Sequence, residues 1–273
     1  MANTNPLASN LTLEQQKNLF GNAYLNMLWH CPTDQRFPYW VHLPDCYYDE
    51  KDPHYKLLVI IHGTGCAVED YVRHAKELAD RDHVAVLAPL FPGGLIQRDD
   101  FNSYKLLSCD GVRYDQILLD MIDDMAKRYP GVETDKFCMF GHSGGGQFVN
   151  RFLFAHPEKL RACAIGAPGR PTFLNPDEDY FWGTRDFKNY FGHDVDLAAV
   201  QKVPVLVIVG ENDTKFIGDS PYGDNRVARM KSLQKNLQDH GVHTELTILP
   251  GFAHEGGEKE RVQAAQHFFE AYL

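Results

Sequence analysis

Five apolar runs limit what this chain can fold into. Leu57-Leu58-Val59-Ile60-Ile61 and the stretches 84–88, 137–140, 162–167 and 203–209 contain no charged residue. A strand wetted on one face alternates apolar and polar residues, so a continuous run fits a strand covered on both faces, as in a parallel sheet flanked by helices. Helical patterns separate the runs. Tyr71, Val72, Ala75, Leu78 and Ala79 share one face of a helix over 69–79, and a second helix spans 111–129 with Asp110 as its cap. Phe148, Phe152 and Leu153 mark a third, and Val227, Met230, Leu233 and Leu237 form the stripe of a fourth that stops near Gly241. After a last strand over 244–249, a terminal helix carries Val262, Ala265, Phe269 and Tyr272. Repeated strand–helix units give parallel strands, right-handed crossovers and helices on both faces, with reactive groups collected at the carboxyl ends of the strands.

Ahead of this core, Thr12-Leu13-Glu14-Gln15 reads as a cap and helix start. Two strands, 24–30 and 37–43, are joined by the Pro32-Thr33-Asp34 turn, and Pro38 places the second at an edge or makes its start irregular. A turn-rich segment, 44–54, leads into the core. With no repeat, low-complexity tract or linker, 1–273 is read as one domain.

Charge and cysteine usage narrow the function. A net charge of −10 offers no basic field to a nucleic acid. The polar start, Met1 to Asn10, lacks a basic n-region and apolar core, and no apolar stretch reaches bilayer length, so a cytoplasmic location without membrane contact is expected. Cys31, Cys46, Cys66, Cys109, Cys138 and Cys163 form no C-x-x-C, and no metal-ligand spacing is present. No metal or cofactor is expected. Asn10-Leu11-Thr12 and Asn212-Asp213-Thr214 match glycosylation sequons that a cytoplasmic chain leaves unused.

Directly after the 137–140 run stands Gly141-His142-Ser143-Gly144-Gly145, a G-x-S-x-G string between a strand and a helix. In that context a serine sits on a sharp turn with its hydroxyl above the sheet. The hydroxyl needs a base, and a histidine held in one tautomer by a carboxylate serves near neutral pH. The run 203–209 ends in Gly210-Glu211-Asn212-Asp213, and the last strand ends in Pro250-Gly251-Phe252-Ala253-His254. Both lie at the same sheet edge as Ser143. The order Ser, Asp, His is one of the known orders of this triad.

On these motifs, and on His62-Gly63-Thr64-Gly65 after the 57–61 run, the chain resembles the α/β-hydrolase superfamily from about Leu57 to its end. The resemblance implies an α/β-hydrolase fold: a mostly parallel twisted sheet with helices on both faces and a short lid insertion at 169–201. It implies Ser143 as nucleophile, Asp213 as acid and His254 as base. The oxyanion would be held by the Gly144 N–H and one from the His62 loop, Thr64 with Gly63 beside it. Glu211 and His243 are the rival acid and base; His243 opens the last strand at the wrong end of the sheet. His62 is read as a loop brace. The Gly144-Gly145-Gly146 run lacks the lysine of a phosphate loop.

The aromatics of the insertion include Phe173, Tyr180, Phe181 and Trp182, and these with His142 are the expected substrate contacts. The alternative is a loop packed on the core. The long 91–108 loop has a location but no assigned chemistry. The expected activity is hydrolysis of a small or medium carboxylic ester through an acyl-enzyme. Lactone, thioester, amide and carbon–carbon hydrolysis, or a ligand receptor on the same fold, are the rivals.

Overall fold

The computed structural model describes residues 11–49 and 54–273. The expectations for Met1 to Asn10, and for 50–53 of the turn-rich segment, lie outside them. Helix α1 (Leu13–Phe20) opens on a capping box, in which Thr12 Oγ1 accepts from Gln15 N–H and the Gln15 side chain accepts from Thr12 N–H. Strands β1 (Asn26–His30) and β2 (Pro38–His42) form an antiparallel pair. Then come β3 (Tyr55–Ile61), α2 (Val68–Asp82), β4 (Val84–Pro89), the two-residue strands β5 (Ser108–Cys109) and β6 (Val112–Arg113), and α3 (Tyr114–Arg128). The chain continues through β7 (Val132–His142), α4 (Gly144–Ala155), β8 (Leu160–Gly166), α5 (Phe187–Phe191), α6 (Leu197–Val200), β9 (Val205–Gly210), α7 (Arg226–Asp239), β10 (Thr244–Leu249) and α8 (Glu258–Phe269).

Eight strands form one sheet in the order β1-β2-β4-β3-β7-β8-β9-β10, parallel from β4 to β10. The continuous apolar runs follow from two covered faces. Leu57, Val59 and Ile61 of β3 enter one apolar cluster with Met121 and Met125 of α3 and Phe148 and Phe152 of α4. Leu58 and Ile60 enter a second with Ala75 and Leu78 of α2 and Val262 and Phe269 of α8. Strand β9 divides in the same way, Val205, Val207 and Val209 against Leu206 and Ile208. Each such side chain contributes about 1.5–3 kcal/mol on burial, so a polar residue on either face of these strands is costly.

Three expectations need correction. Asp110 is not a helix cap. Asp110 and Gly111 carry φ of 49° and 78° and form the turn of the β5–β6 hairpin, which an Asp-Gly pair favours because both central residues need positive φ. Helix α3 therefore begins at Tyr114. The nucleophile strand extends well beyond 137–140, because its first residues pair with Tyr55 and Lys56 at the sheet's amino end. Strand β2 is an interior strand between β1 and β4; Pro38 occupies its first position, and its carbonyl accepts from Leu90 N–H at 2.8 Å. Among the described residues, no helix is long and apolar enough to cross a membrane.

Candidate active site

The β7–α4 turn presents Ser143 with φ 57° and ψ −112°, a backbone state held by close packing around it. A Cβ on Gly145 would overlap the Ile61 carbonyl of β3, and one on Gly146 would overlap the Gly166 carbonyl of β8. Only glycine lets α4 begin this near both strands. The Ser143 amide donates to Gly166 O at 2.8 Å, tying the turn to β8.

Parallel pairing of β9 with β10 sets Gly210 opposite Leu249, so the turns that follow them lie side by side. Asn212 N–H donates to Phe252 O at 2.8 Å across them. Asp213 is 1% exposed and His254 partly covered. His254 Nδ1 stands 2.7 Å from Asp213 Oδ2, and its Nε2 stands 2.9 Å from Ser143 Oγ. With the carboxylate accepting from Nδ1–H, Nε2 is free to accept from the serine hydroxyl. The rival residues sit elsewhere. Glu211 accepts from Gly251 N–H at 2.9 Å, and His243 pairs with Glu245 at the amino end of β10.

Two further groups fix the His254 backbone. His142 Nε2–H donates to His254 O at 3.1 Å, its ring packed 4.9 Å from the His254 ring, and Arg261 of α8 donates to the carbonyls of His254 and Ala253 at 3.0 and 2.7 Å. His142 thus stands behind His254, between strand and histidine loop. Burial, with Arg261 next, holds it well below the ordinary histidine range, so it stays neutral.

The His62 loop reaches the other side of Ser143. Gly63 lies beside Ser143, and the Thr64 nitrogen is 3.2 Å from where a Gly144 Cβ would stand. Among the described residues, the N–H groups of Thr64 and Gly144 make no hydrogen bond. His62 braces this loop. Its Nε2 accepts from Phe91 N–H at 3.0 Å and its Nδ1–H donates to Gly63 O at 2.6 Å; burial pulls its pKa down to about 4.

Two cavities flank these groups. One, of about 400 Å³, is walled by Lys105, Arg170, Phe181, Ile217, Arg226 and Arg229, with no carboxylate in its lining. The other, of about 410 Å³, is walled by Asp213, Lys215, Glu255 and His254 and shares Ile217 and Arg226 with the first. Of the four aromatics expected as substrate contacts, Phe181 faces the first cavity. Phe173 is buried and stacks on Tyr222 at 3.5 Å, and Tyr180 is buried with its hydroxyl donating to Leu106 O. Trp182 lies under the Arg229 guanidinium at 5.3 Å. Much of the 169–201 segment therefore packs on the core, with Phe181 as its contribution to the cavity wall.

A model of the dienelactone hydrolase family matches residues 44–271. The chain belongs to that family. No curated protein sequence matches it. Among solved structures it is similar to poly(aspartic acid) hydrolase-1 from Sphingomonas sp. KT-1, at 20% identity and TM-score 0.71 over 89% of this chain and 96% of that one. It is also similar to a poly(3-hydroxybutyrate) depolymerase from Bordetella parapertussis, at 19% identity and TM-score 0.71 over 97% and 96%. A third is an S-formylglutathione hydrolase from Agrobacterium tumefaciens, at 15% identity and TM-score 0.58 over 90% and 93%. These likenesses establish the α/β-hydrolase fold, and membership in the dienelactone hydrolase family makes the chain a hydrolase.

In this dienelactone hydrolase family member, several residues around the site are invisible to motif reading. Arg226 Nη1 meets Asp213 Oδ1 at 3.3 Å. Arg229 donates to the carbonyls of Gly223, Gly218 and Gly169, pinning the acid's loop to the segment after β8. Arg151, fully enclosed in α4, donates to Lys105 O at 2.5 Å and Arg170 O at 2.8 Å. A sequence signal existed for Arg151: it stands alone among Phe148, Val149, Phe152 and Leu153, and an arginine in so apolar a stretch needs buried acceptors.

Proposed function

We propose that this chain is a serine hydrolase that cleaves carboxylic esters, and that the negative charge of its preferred substrate lies on the acyl part. The observation that carries the chemistry is His254, within hydrogen-bond reach of Asp213 on one nitrogen and Ser143 on the other. Ser143 Oγ attacks the ester carbonyl while His254 Nε2 takes its proton. The carbonyl electron pair moves onto oxygen, where the Thr64 and Gly144 N–H groups receive it. Collapse expels the alcohol, which takes the proton from His254, and water activated by the same nitrogen releases the acid. A lactone, the substrate type in the family's name, is a cyclic ester open to the same steps. Labelled fluorophosphonate is expected to modify Ser143 alone, read by mass mapping; an adduct on another residue overturns the assignment.

The charge preference comes from the two cavities. The alcohol must leave where His254 can protonate it, which is the cavity that His254 lines. The acyl part then occupies the cavity of Lys105, Arg170, Arg226 and Arg229, four cations in a chain of net charge −10. A charge-assisted hydrogen bond contributes about 1.5–3 kcal/mol, roughly a 10- to 150-fold preference. Monoethyl adipate should therefore exceed ethyl hexanoate in kcat/KM by that order, with the advantage shrinking as salt is added and in Arg170→Met. Equal kcat/KM for the two esters at low salt would remove the charge preference and leave the ester chemistry standing.

A further inference from the structure

Lys105 occupies an unusual position for a lysine. It belongs to the 3-10 turn Ser103–Leu106 in the loop after β4, and it is 7% exposed. Its ammonium donates to Thr64 Oγ1 at 2.7 Å and to Asn102 Oδ1 at 2.6 Å. Its Cε would stand 2.7 Å from a Cβ on Gly144, the same point that lies 3.2 Å from the Thr64 nitrogen. The backbone is fixed as well, since Arg151 donates to Lys105 O. A buried ammonium ordinarily pairs with a carboxylate. Here two neutral oxygens hold it, and among the described residues no carboxylate forms an ion pair with it. Its charge thus lies without a contacting carboxylate in the wall of the cavity it shares with Arg170, Arg226 and Arg229.

We propose that Lys105 is a charged third member of the oxyanion site, its ammonium stabilising the tetrahedral anion that the Thr64 and Gly144 amides hydrogen-bond. The proposal rests on Ser143 as nucleophile. As the bond from Ser143 Oγ to the carbonyl carbon forms, the serine proton passes to His254 and the carbonyl pair settles on oxygen. The Lys105 proton stays where it is, so the lysine adds field rather than a proton transfer. Bonding to Thr64 Oγ1 places a full charge on the residue whose N–H faces the anion. A bracing role alone needs a donor but no charge, and this difference is measurable.

The groups facing the ammonium are Arg151 from α4 and Arg170 from the segment after β8, both cations, with Asp100 and Cys66 opposing them. Burial first, and Arg151 next, pull its pKa down to about 8. The charged form is the active one, so kcat should fall as pH rises through that value. The experiment is kcat for p-nitrophenyl butyrate, a neutral ester, from pH 6 to 9.5. Lys105→Met should lower kcat about a hundredfold with KM changed little, the size seen when one oxyanion donor is lost, and should have no alkaline limb. Lys105→Arg should recover most of kcat and carry the limb out of range.

A Lys105→Met enzyme within threefold of the parent, or one that keeps the alkaline limb, overturns the proposal. If that variant does not fold by circular dichroism, the parent profile decides, and a flat kcat from pH 7 to 9.5 overturns it equally. Fluorophosphonate labelling in the same preparations separates the two readings. A parent protein that neither labels on Ser143 nor turns over any ester refutes the nucleophile assignment. Labelling with turnover and an unaffected Lys105→Met refutes only the role of Lys105.

Discussion

Ser143→Ala is expected to lower kcat for p-nitrophenyl butyrate by about 10⁶-fold, and His254→Ala by a similar factor. The two losses should be alike because neither group acts alone. The hydroxyl is nearly inert until a base 2.9 Å away takes its proton, and the base has no water-activating role until the acyl-enzyme exists. The double variant should lose little more than either single one. Neither substitution opens a cavity in the apolar clusters, since neither side chain belongs to them, so both proteins should melt close to the parent. An alanine variant at 143 that keeps a tenth of the parent kcat would remove the serine from the chemistry.

Asp213→Asn is the second large effect, about 10⁴-fold in kcat. The substitution keeps shape and volume but turns an acceptor into a group with an N–H pair. Facing His254 Nδ1 at 2.7 Å, the amide donates and forces the imidazole proton onto Nε2. The base then meets Ser143 with a proton where it needs a lone pair. Arg226, 3.3 Å from the other carboxylate oxygen, also loses its anion, which further disfavours an imidazolium at 254. Glu211→Gln should stay within about threefold, because that carboxylate accepts from Gly251 N–H and does not reach His254. Loss in Glu211→Gln with retention in Asp213→Asn would exchange the two acids.

Much of this was legible before the structure. The sheet could be read because both faces of β3, β7, β8 and β9 are covered, and two-sided burial imposes an unbroken apolar run. The motifs of Ser143, Asp213 and His254 could be read because each occupies a contiguous turn directly after such a run. What escaped depends on long-range packing. Arg226, Arg229, Arg261 and Lys105 look like ordinary surface charges, and only the fold reveals that carbonyls or single oxygens enclose them. The aromatic density of 169–201 announced burial without direction. Phe181 faces the cavity, whereas Phe173 stacks on Tyr222, whose partner position lies some fifty residues on. Asp110-Gly111 satisfies both a cap pattern and a hairpin turn, and two-residue strands are too short to leave a period that decides between them.

The positive φ at Ser143 also limits the alphabet of that position. With φ at 57°, a side chain branched at Cβ crowds the neighbouring carbonyls, so threonine carries a backbone strain that serine does not. Cysteine, unbranched and of similar size, suffers no such strain. Exchange of oxygen for sulfur is therefore the short step open to this elbow, whereas adding a single methyl group asks the turn itself to move.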